Sequence, residues 1–158
     1  MKVLYPALFE KQDDGKFLVS FPDFLEAITE GNDIEEAIFN ASEVLTLTIE
    51  GRIDEKMEIP EPSEINDENY LFIPPAASAQ SALLVRWARS HTDHTIAEVA
   101  RAMNTSWPAI SRLEDPHHSP NIKQLERVAA VLGQQLVFSM EPISPNNEGE
   151  EFSQNSSA

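Results

Sequence analysis

Hydrophobic side chains recur at every second position in two runs near the start of the chain, residues 3–9 and residues 17–21. Such alternation predicts β-strands, and because Leu4, Pro6 and Leu8 are also apolar, the first strand is expected to have both faces partly covered. The Asp14-Gly15 dipeptide between the two runs favours a tight hairpin turn. Pro6 cannot donate an amide hydrogen to a neighbouring strand, so we expect the first strand at a sheet edge or at a bulge.

A helix and two further strands complete the first part of the chain. Residues 27–29 are a candidate third strand, and residues 70–73 form an apolar island typical of a fourth. Between them, Asp33 and Glu36 have the spacing of an N-terminal cap pair. Apolar residues then recur three and four positions apart, and Gly51 is expected to end the helix. The order β-β-β-α-β predicts a small sheet with one helix across it.

The remaining chain has the pattern of short amphipathic helices separated by tight turns. Thr95 and Glu98 form a capping box that begins one helix. Asn104 tolerates the left-handed backbone with which such a helix usually stops, and Ser106 can cap the next helix. Gly133 is expected to end the last helix of the series. This arrangement is typical of a helix-turn-helix, in which one helix end enters the DNA major groove.

We therefore predict an α+β chain of two units. Residues 1–75 form the sheet unit, residues 76–80 a linker, and residues 81–141 an all-helical unit. Residues 136–140 are expected to form a strand that pairs across a dimer or packs on the helices. The tail, residues 142–158, is polar and acidic, so it is predicted to be disordered.

Charge is distributed unevenly along the chain, which has a formal net charge of −16. Residues 1–75 hold 5 Lys or Arg against 18 Asp or Glu, a net of −13, whereas residues 76–140 hold 6 against 5, a net of +1. DNA affinity comes largely from neutralised phosphates, so a single helical unit with a net charge of +1 is expected to bind DNA weakly. A dimer that contacts two half-sites is therefore close to a requirement.

Composition excludes several classes of function. With no cysteine, the chain has neither disulfides nor a thiolate metal site, which agrees with a reducing cytoplasm, the expected location. No apolar run approaches the roughly 20 residues that cross a bilayer. The histidine pairs His91/His94 and His117/His118 lack the further ligands that a metal site needs. We expect no enzyme activity, no metal and no cofactor.

The second helix of the predicted helix-turn-helix carries the candidate DNA contacts. Ser106, Trp107, Ser111 and Arg112 are predicted to face the bases. The Trp107 indole has a single hydrogen-bond donor for a base. Two interpretations of Trp107 stay open, a DNA contact and a residue packed in the core. Helix N-termini attract phosphate, and a second set of residues is expected to contact the DNA backbone: Thr95, Asn121 and Lys123.

The run GKFLVSFPDFLEAITEGNDIEEAIFNASEVLTLTIEG, residues 15–51, resembles the HicB antitoxin family. The phrases FPD (residues 21–23) and TEG (residues 29–31) match the pattern of that family, as does the acidic helix that begins EEA (residues 35–37). Residues 25–27, LEA, depart from it where many members have Pro-Gly-Cys. This departure concerns the turn geometry rather than the resemblance itself.

The C-terminal helices resemble a second known class. The run AISRLE, residues 109–114, is similar to the recognition helix of Cro/repressor-type domains of the XRE class. Glutamine is common at the start of both helices of that motif, but Ile96 and Trp107 stand there in this chain. With these helices the resemblance covers roughly residues 1–140, and it is to the HicB subgroup that carries a C-terminal XRE/Cro-like helix-turn-helix.

The resemblance implies a function and a set of partners. HicB proteins neutralise HicA, a small basic ribonuclease toxin, and repress their own operon. Their N-terminal domain is a partial ribonuclease-H-like fold without nuclease activity. The implied partners are a HicA-type toxin, operator DNA and further copies in a homodimer or homotetramer. Residues beside the signature phrase are the candidate toxin contacts, unless they form a solvated loop: Asp23, Phe24, Glu26 and Glu30.

Two other functions stay open on the sequence alone. The first is a stand-alone transcriptional repressor whose N-terminal domain senses a small ligand. The second is a residual nuclease on the ribonuclease-H-like domain, which requires metal-dependent cleavage that Asp23→Ala abolishes.

Overall fold

The computed structural model describes residues 1–143, and the predicted disordered tail lies outside them from residue 144 onward. Its strands are β1 (Tyr5–Lys11), β2 (Phe17–Phe21), β3 (Phe24–Gly31) and β4 (Tyr70–Ile73). Its helices are α1 (Ile34–Asp54), α2 (Ala77–His91), α3 (Ile96–Ala102), α4 (Trp107–Leu113) and α5 (Ile122–Val131). None of these helices is both long and apolar enough to cross a membrane. The α+β prediction is confirmed.

The four strands form one antiparallel sheet with the order β3-β2-β1-β4, and α1 packs across one face. The turn between β1 and β2 contains Gly15 at a φ of 87°, as the Asp14-Gly15 dipeptide predicts. Side chains from the inner face of the sheet meet α1 in a first hydrophobic core. This core includes Tyr5, Val19 and Phe24.

The prediction that Pro6 marks an edge strand is wrong, because β1 lies in the middle of the sheet. Pro6 is tolerated there because the two neighbours of β1 are offset. Strand β4 pairs with residues 5–8 of β1, but β2 pairs only from Leu8 to Lys11. Pro6 therefore lies beyond the β2 ladder, where its missing amide hydrogen leaves no β2 partner unpaired.

Helix α1 begins as predicted but ends later. The Asp33 carboxylate accepts a hydrogen bond from the Glu36 amide at 2.8 Å, and the Glu36 carboxylate accepts one from the Asn32 amide at 2.9 Å. Gly51 was expected to end the helix, but α1 continues to Asp54. A glycine most often ends a helix by taking the left-handed conformation, but Gly51 lies inside the helix and has no positive φ.

Helix α2 replaces the linker expected at residues 76–80, because it begins at Ala77. Its side chains enter both cores of the molecule. Ala79 and Leu83 belong to the first core, whereas Val85 and Ala88 belong to a second core formed with α3, α4 and α5. The sheet unit and the helical unit thus share one continuous helix.

The helices after α2 follow the predicted caps. Thr95 and Glu98 form a capping box on α3, and Asn104 has a φ of 52° in the turn that follows. Gly133, with a φ of 68°, follows α5. The strand predicted at residues 136–140 does not form within the described chain, where this segment has no assigned secondary structure and joins no sheet.

Two histidine–carboxylate pairs connect the helical elements with the sheet unit. His117, in the loop after α4, lies 3.0 Å from an Asp54 oxygen at the end of α1. His91, at the end of α2, lies 2.7 Å from Glu61 in the connection between α1 and β4. The hydrogen bond with Asp54, and to a lesser degree the nearby charges of Asp54, Glu50 and Asp115, raise the pKa of His117 above 6.5.

The His117–Asp54 pair is expected to make stability depend on pH. Because the folded pKa of His117 is raised, its stabilising contribution is complete below the unfolded pKa of about 6.5 and disappears as pH rises through the folded pKa. The melting temperature of the wild-type protein should therefore be higher than that of His117→Asn at pH 5.5. At pH 8.5 the two melting temperatures should be equal. His118, 3.9 Å from Asp115 within the same loop, offers a matched control in His118→Asn. An equal wild-type margin at both pH values would contradict this assignment.

Candidate protein and nucleic-acid interfaces

The predicted toxin-binding acids lie on or beside the edge strand β3, and each has a partner within the chain. Glu26 forms a two-contact ion pair with Arg52 of α1, at 2.6 and 3.0 Å, which holds the pKa of Glu26 below its usual value. Glu30 lies 3.0 Å from the Lys16 ammonium. Asp23 accepts hydrogen bonds from the amide and the hydroxyl of Ser63. Glu26 and Glu30 thus lie on β3, and Asp23 lies in the turn before it.

Phe24 is a correction, because it is fully buried and cannot be a surface contact. Its ring packs edge-on against Tyr5, with centroids 4.8 Å apart, and the Arg52 guanidinium lies 4.9 Å from the ring centre. The Tyr5 hydroxyl in turn donates to the Pro60 carbonyl at 2.7 Å. Phe24 thus anchors the start of β3 in the first core.

The outer face of α1 is the surface that sequence reasoning missed. The buried residues of α1 are spaced four apart, from Ala37 to Ile49. On the opposite side, acidic and apolar residues alternate at spacings of three or four positions. Phe39 and Leu47 are each 66% exposed there, although large apolar side chains of a helix normally face the core. We call this set the α1 outer face: Glu35, Phe39, Glu43, Leu47 and Glu50.

The predicted base-contacting residues lie on α4 and its cap. Ser106 caps the helix by accepting a hydrogen bond from the Ala109 amide at 3.3 Å. Trp107 is 55% exposed at the first position of α4, so the interpretation of Trp107 as a core residue is wrong. Arg112 is exposed and Ser111 is half-buried. The buried side of α4 is formed by Ile110 and Leu113, so these four positions remain on or near its accessible side.

Of the three predicted phosphate contacts, two are engaged in helix capping and one is an exposed cation. Thr95 donates its hydroxyl hydrogen to the Glu98 carboxylate at 3.0 Å, and Thr95 hydrogen bonds lower the Glu98 pKa, which keeps that carboxylate ionised. A negatively charged carboxylate at this helix N-terminus repels a phosphate group that would bind there. The Asn121 side-chain oxygen caps α5 by accepting a hydrogen bond from the Gln124 backbone amide at 2.8 Å. Lys123 is exposed in the first turn of α5.

A buried ion pair fixes the start of α3 and the end of α4 on α2. Glu114, only 6% exposed, accepts two hydrogen bonds from the Arg89 guanidinium, one of them 2.9 Å long. The same guanidinium donates to the His94 carbonyl at 3.1 Å. Arg127 of α5 donates to the Met103 carbonyl at 3.0 Å. These contacts hold the two short helices and the turn between them.

Within residues 1–143, no three His, Cys, Asp or Glu side chains gather in a way that could hold a metal ion.

Comparison with known proteins identifies the class to which this fold belongs. Residues 4–81 match the family described as HicB_like antitoxin of bacterial toxin-antitoxin system. The chain is 32% identical over 137 residues to Antitoxin HicB 1 of Photorhabdus laumondii, covering 87% of this chain and 86% of that protein. It is 29% identical over 136 residues to Antitoxin HicB of Escherichia coli K12, covering 86% of this chain and 98% of that protein.

A solved structure is similar to part of the chain. A chain of a toxin-antitoxin complex from Streptococcus pneumoniae is 44% identical, with a TM-score of 0.38, and the match covers 42% of this chain and 48% of that chain. The family match and the long relatives together assign the protein. It belongs to the HicB antitoxin family and is the antitoxin of a toxin–antitoxin system.

Proposed function

We propose that the protein binds and inhibits a HicA-type ribonuclease toxin through its sheet unit and represses its own operon through a dimeric helix-turn-helix. The observation that carries this proposal is the separation of charge between the two units. Residues 1–75 have a net charge of −13 and the helices after them a net of +1. A toxin that binds RNA presents a basic surface, which the acidic sheet unit complements.

The α1 outer face is the proposed toxin-binding surface, with β3 beside it. Glu26 and Glu30 on β3 already have intramolecular cations, so their charge is partly compensated. Glu43 lies between Phe39 and Leu47, and no ion pair involves it within the described residues. An acidic stripe interrupted by two exposed apolar side chains suits a basic partner that also buries apolar area.

Charge reversal at the centre of this face is expected to release the toxin. Glu43→Lys should weaken inhibition of toxin cleavage at least 10-fold, because it places like charge against a basic partner. The measurement is RNA cleavage by the toxin at rising antitoxin concentration. Glu126→Lys, at an exposed position of α5, makes the same change in net charge and should inhibit like wild type. Equal inhibition by all three proteins would contradict the proposed surface.

Operator binding is assigned to α4 and the first turn of α5. Trp107 and Arg112 are exposed on α4, and the Arg89–Glu114 pair holds that helix in place. A net charge of only +1 over residues 76–140 gives few phosphate contacts per copy, so repression depends on two copies bound together.

Removing cations from this unit is expected to separate base contacts from phosphate contacts. Arg112→Ala should lower operator affinity about 10-fold by removing a base contact. Lys123→Ala should weaken operator and unrelated DNA alike, and it should flatten the dependence of binding on salt. Lys11→Ala, at the end of β1, is the control with the same lost charge. An unchanged salt slope for Lys123→Ala removes this residue from the phosphate contacts.

A further inference from the structure

The accessible side of α4 has an apolar half and a polar half. Four side chains lie opposite the buried residues of this helix: Trp107, Pro108, Ser111 and Arg112. Trp107 and Pro108 are both exposed and form the apolar half at the start of α4, and the other two form the polar half a turn later. Residues 106–113 contain no carboxylate, so this helix does not itself repel a polyanion.

The apolar half has few free hydrogen-bond donors. The Ala109 amide donates to the Ser106 hydroxyl oxygen at 3.3 Å, and the Ile110 amide donates to the Ser106 carbonyl at 3.3 Å. Pro108 has no amide hydrogen. Apart from the Ser106 hydroxyl, the side-chain donor of this half is the indole N–H of Trp107. Because Trp107 is 55% exposed, the largest accessible group here is an apolar ring rather than a set of donors for phosphate.

One feature of the DNA major groove matches an exposed apolar ring. Base edges in that groove present hydrogen-bond donors and acceptors, and thymine alone adds an apolar group, its C5 methyl. Packing of the Trp107 ring on this methyl group removes apolar surface from water on both sides. Over any other base edge, the ring would displace water from polar groups and offer at most one hydrogen bond in return.

We propose that Trp107 reads one thymine in each operator half-site by packing its ring against the C5 methyl group. This inference rests on the proposed function and deepens it, because it names a base that the operator must contain. The net charge of +1 over residues 76–140 leaves a large share of specific affinity to such base contacts. Arg112 lies about 7.5 Å further along α4, so its guanidinium contacts a different base pair.

Uracil in place of thymine tests the contact, because it removes the methyl group and leaves the polar groups of the base unchanged. Fluorescence anisotropy measures the affinity of the full chain for the DNA upstream of its own gene, with single thymines replaced by deoxyuridine. At one thymine in each half-site, wild type should bind about 4-fold more weakly, the effect of one buried methyl group. Trp107→Ala should bind both duplexes with the same, lower affinity. Wild-type binding that no uracil weakens would overturn the proposal.

Arg112→Ala is the matched control, because Arg112 is also exposed on α4. This variant should bind the operator more weakly than wild type but keep the about 4-fold response to uracil. A response that survives in Trp107→Ala, or that disappears equally in both variants, would contradict the assignment to Trp107. Weaker toxin inhibition by Trp107→Ala with unchanged operator affinity would place Trp107 in a protein interface and would also overturn it.

The same measurements separate this inference from the proposed function. A wild type that binds its upstream DNA but does not respond to uracil contradicts the thymine contact and leaves the proposed repression standing. A wild type that does not bind this DNA contradicts repression, and the uracil comparison is then made on duplexes that the protein selects from a random pool. If the protein selects no duplex, the thymine contact is wrong as well.

Discussion

Replacing Gly31 with alanine is expected to destabilise the sheet unit by about 3 kcal/mol, because the added methyl overlaps backbone that cannot move away. A Cβ at Gly31 would lie 2.3 Å from the nitrogen and 2.5 Å from the Cα of Ala37. Gly31 ends β3, and Ala37 is the first fully buried residue of α1. The strand and the helix can approach this closely only if position 31 has no side chain.

Gly51→Ala is the matched control for this prediction. Nothing lies within 4 Å of a Cβ at position 51, and Gly51 is inside α1. Alanine there should stabilise the protein by about 0.5–1 kcal/mol, because glycine has a low helix propensity. Urea unfolding followed by far-ultraviolet circular dichroism measures both variants. A loss below about 1 kcal/mol for Gly31→Ala would show that α1 can shift to accept a side chain.

Breaking the Arg89–Glu114 pair has the second large expected effect. Glu114→Ala should cost about 3 kcal/mol, because it leaves the Arg89 guanidinium largely buried without its carboxylate. The side chains of Glu114 and Arg89 are 7% and 24% exposed, so water replaces little of the lost interaction. Under the proposed function, operator affinity should fall as well, because Glu114 positions the Arg89 guanidinium that donates to the His94 carbonyl before α3.

The Arg52–Glu26 pair is a more exposed ion pair with which the buried Arg89–Glu114 pair can be compared. It has the same two-contact chemistry, but the Glu26 side chain is 48% exposed. Glu26→Ala should therefore cost no more than about 1 kcal/mol. The double variant Arg89→Met/Glu114→Leu should recover much of the stability lost in Glu114→Ala. If Glu114→Ala and Glu26→Ala cost the same, burial does not govern the strength of these pairs.

Local sequence patterns predicted most of the helices, strands and turns correctly. Most of the wrong predictions concern features that depend on contacts between residues far apart in sequence. The Asp33 and Thr95 caps and the turn at Gly15 depend on neighbouring residues only, and the structure has all three. The position of Pro6 depends on how far β2 extends, which no local pattern specifies. The linker at residues 76–80 was inferred from small residues and prolines. Of those small residues, Ala79 is instead fully buried in the first core, as part of α2.

The candidate interfaces were predicted less completely than the fold. The family's signature phrase drew attention to residues 23–30, where Phe24 turned out to be core. The α1 outer face was detectable in principle, because Phe39 and Leu47 fall opposite the buried stripe of α1. Whether an apolar residue off the main stripe is covered depends on elements far away in sequence. The role of Glu114 was hidden for the same reason, since its partner lies 25 residues earlier.

The shared helix α2 has a consequence for the lifetime of the protein. Ala79 and Leu83, both fully buried, complete the core of the sheet unit from within the helix that also contributes Val85 and Ala88 to the second core. A protease that cuts α2 therefore removes packing from both units at once. Under the proposed function, one cleavage would free the toxin and the operator together. Degradation of this antitoxin would then not pass through a stage at which only one of the two proposed activities remains.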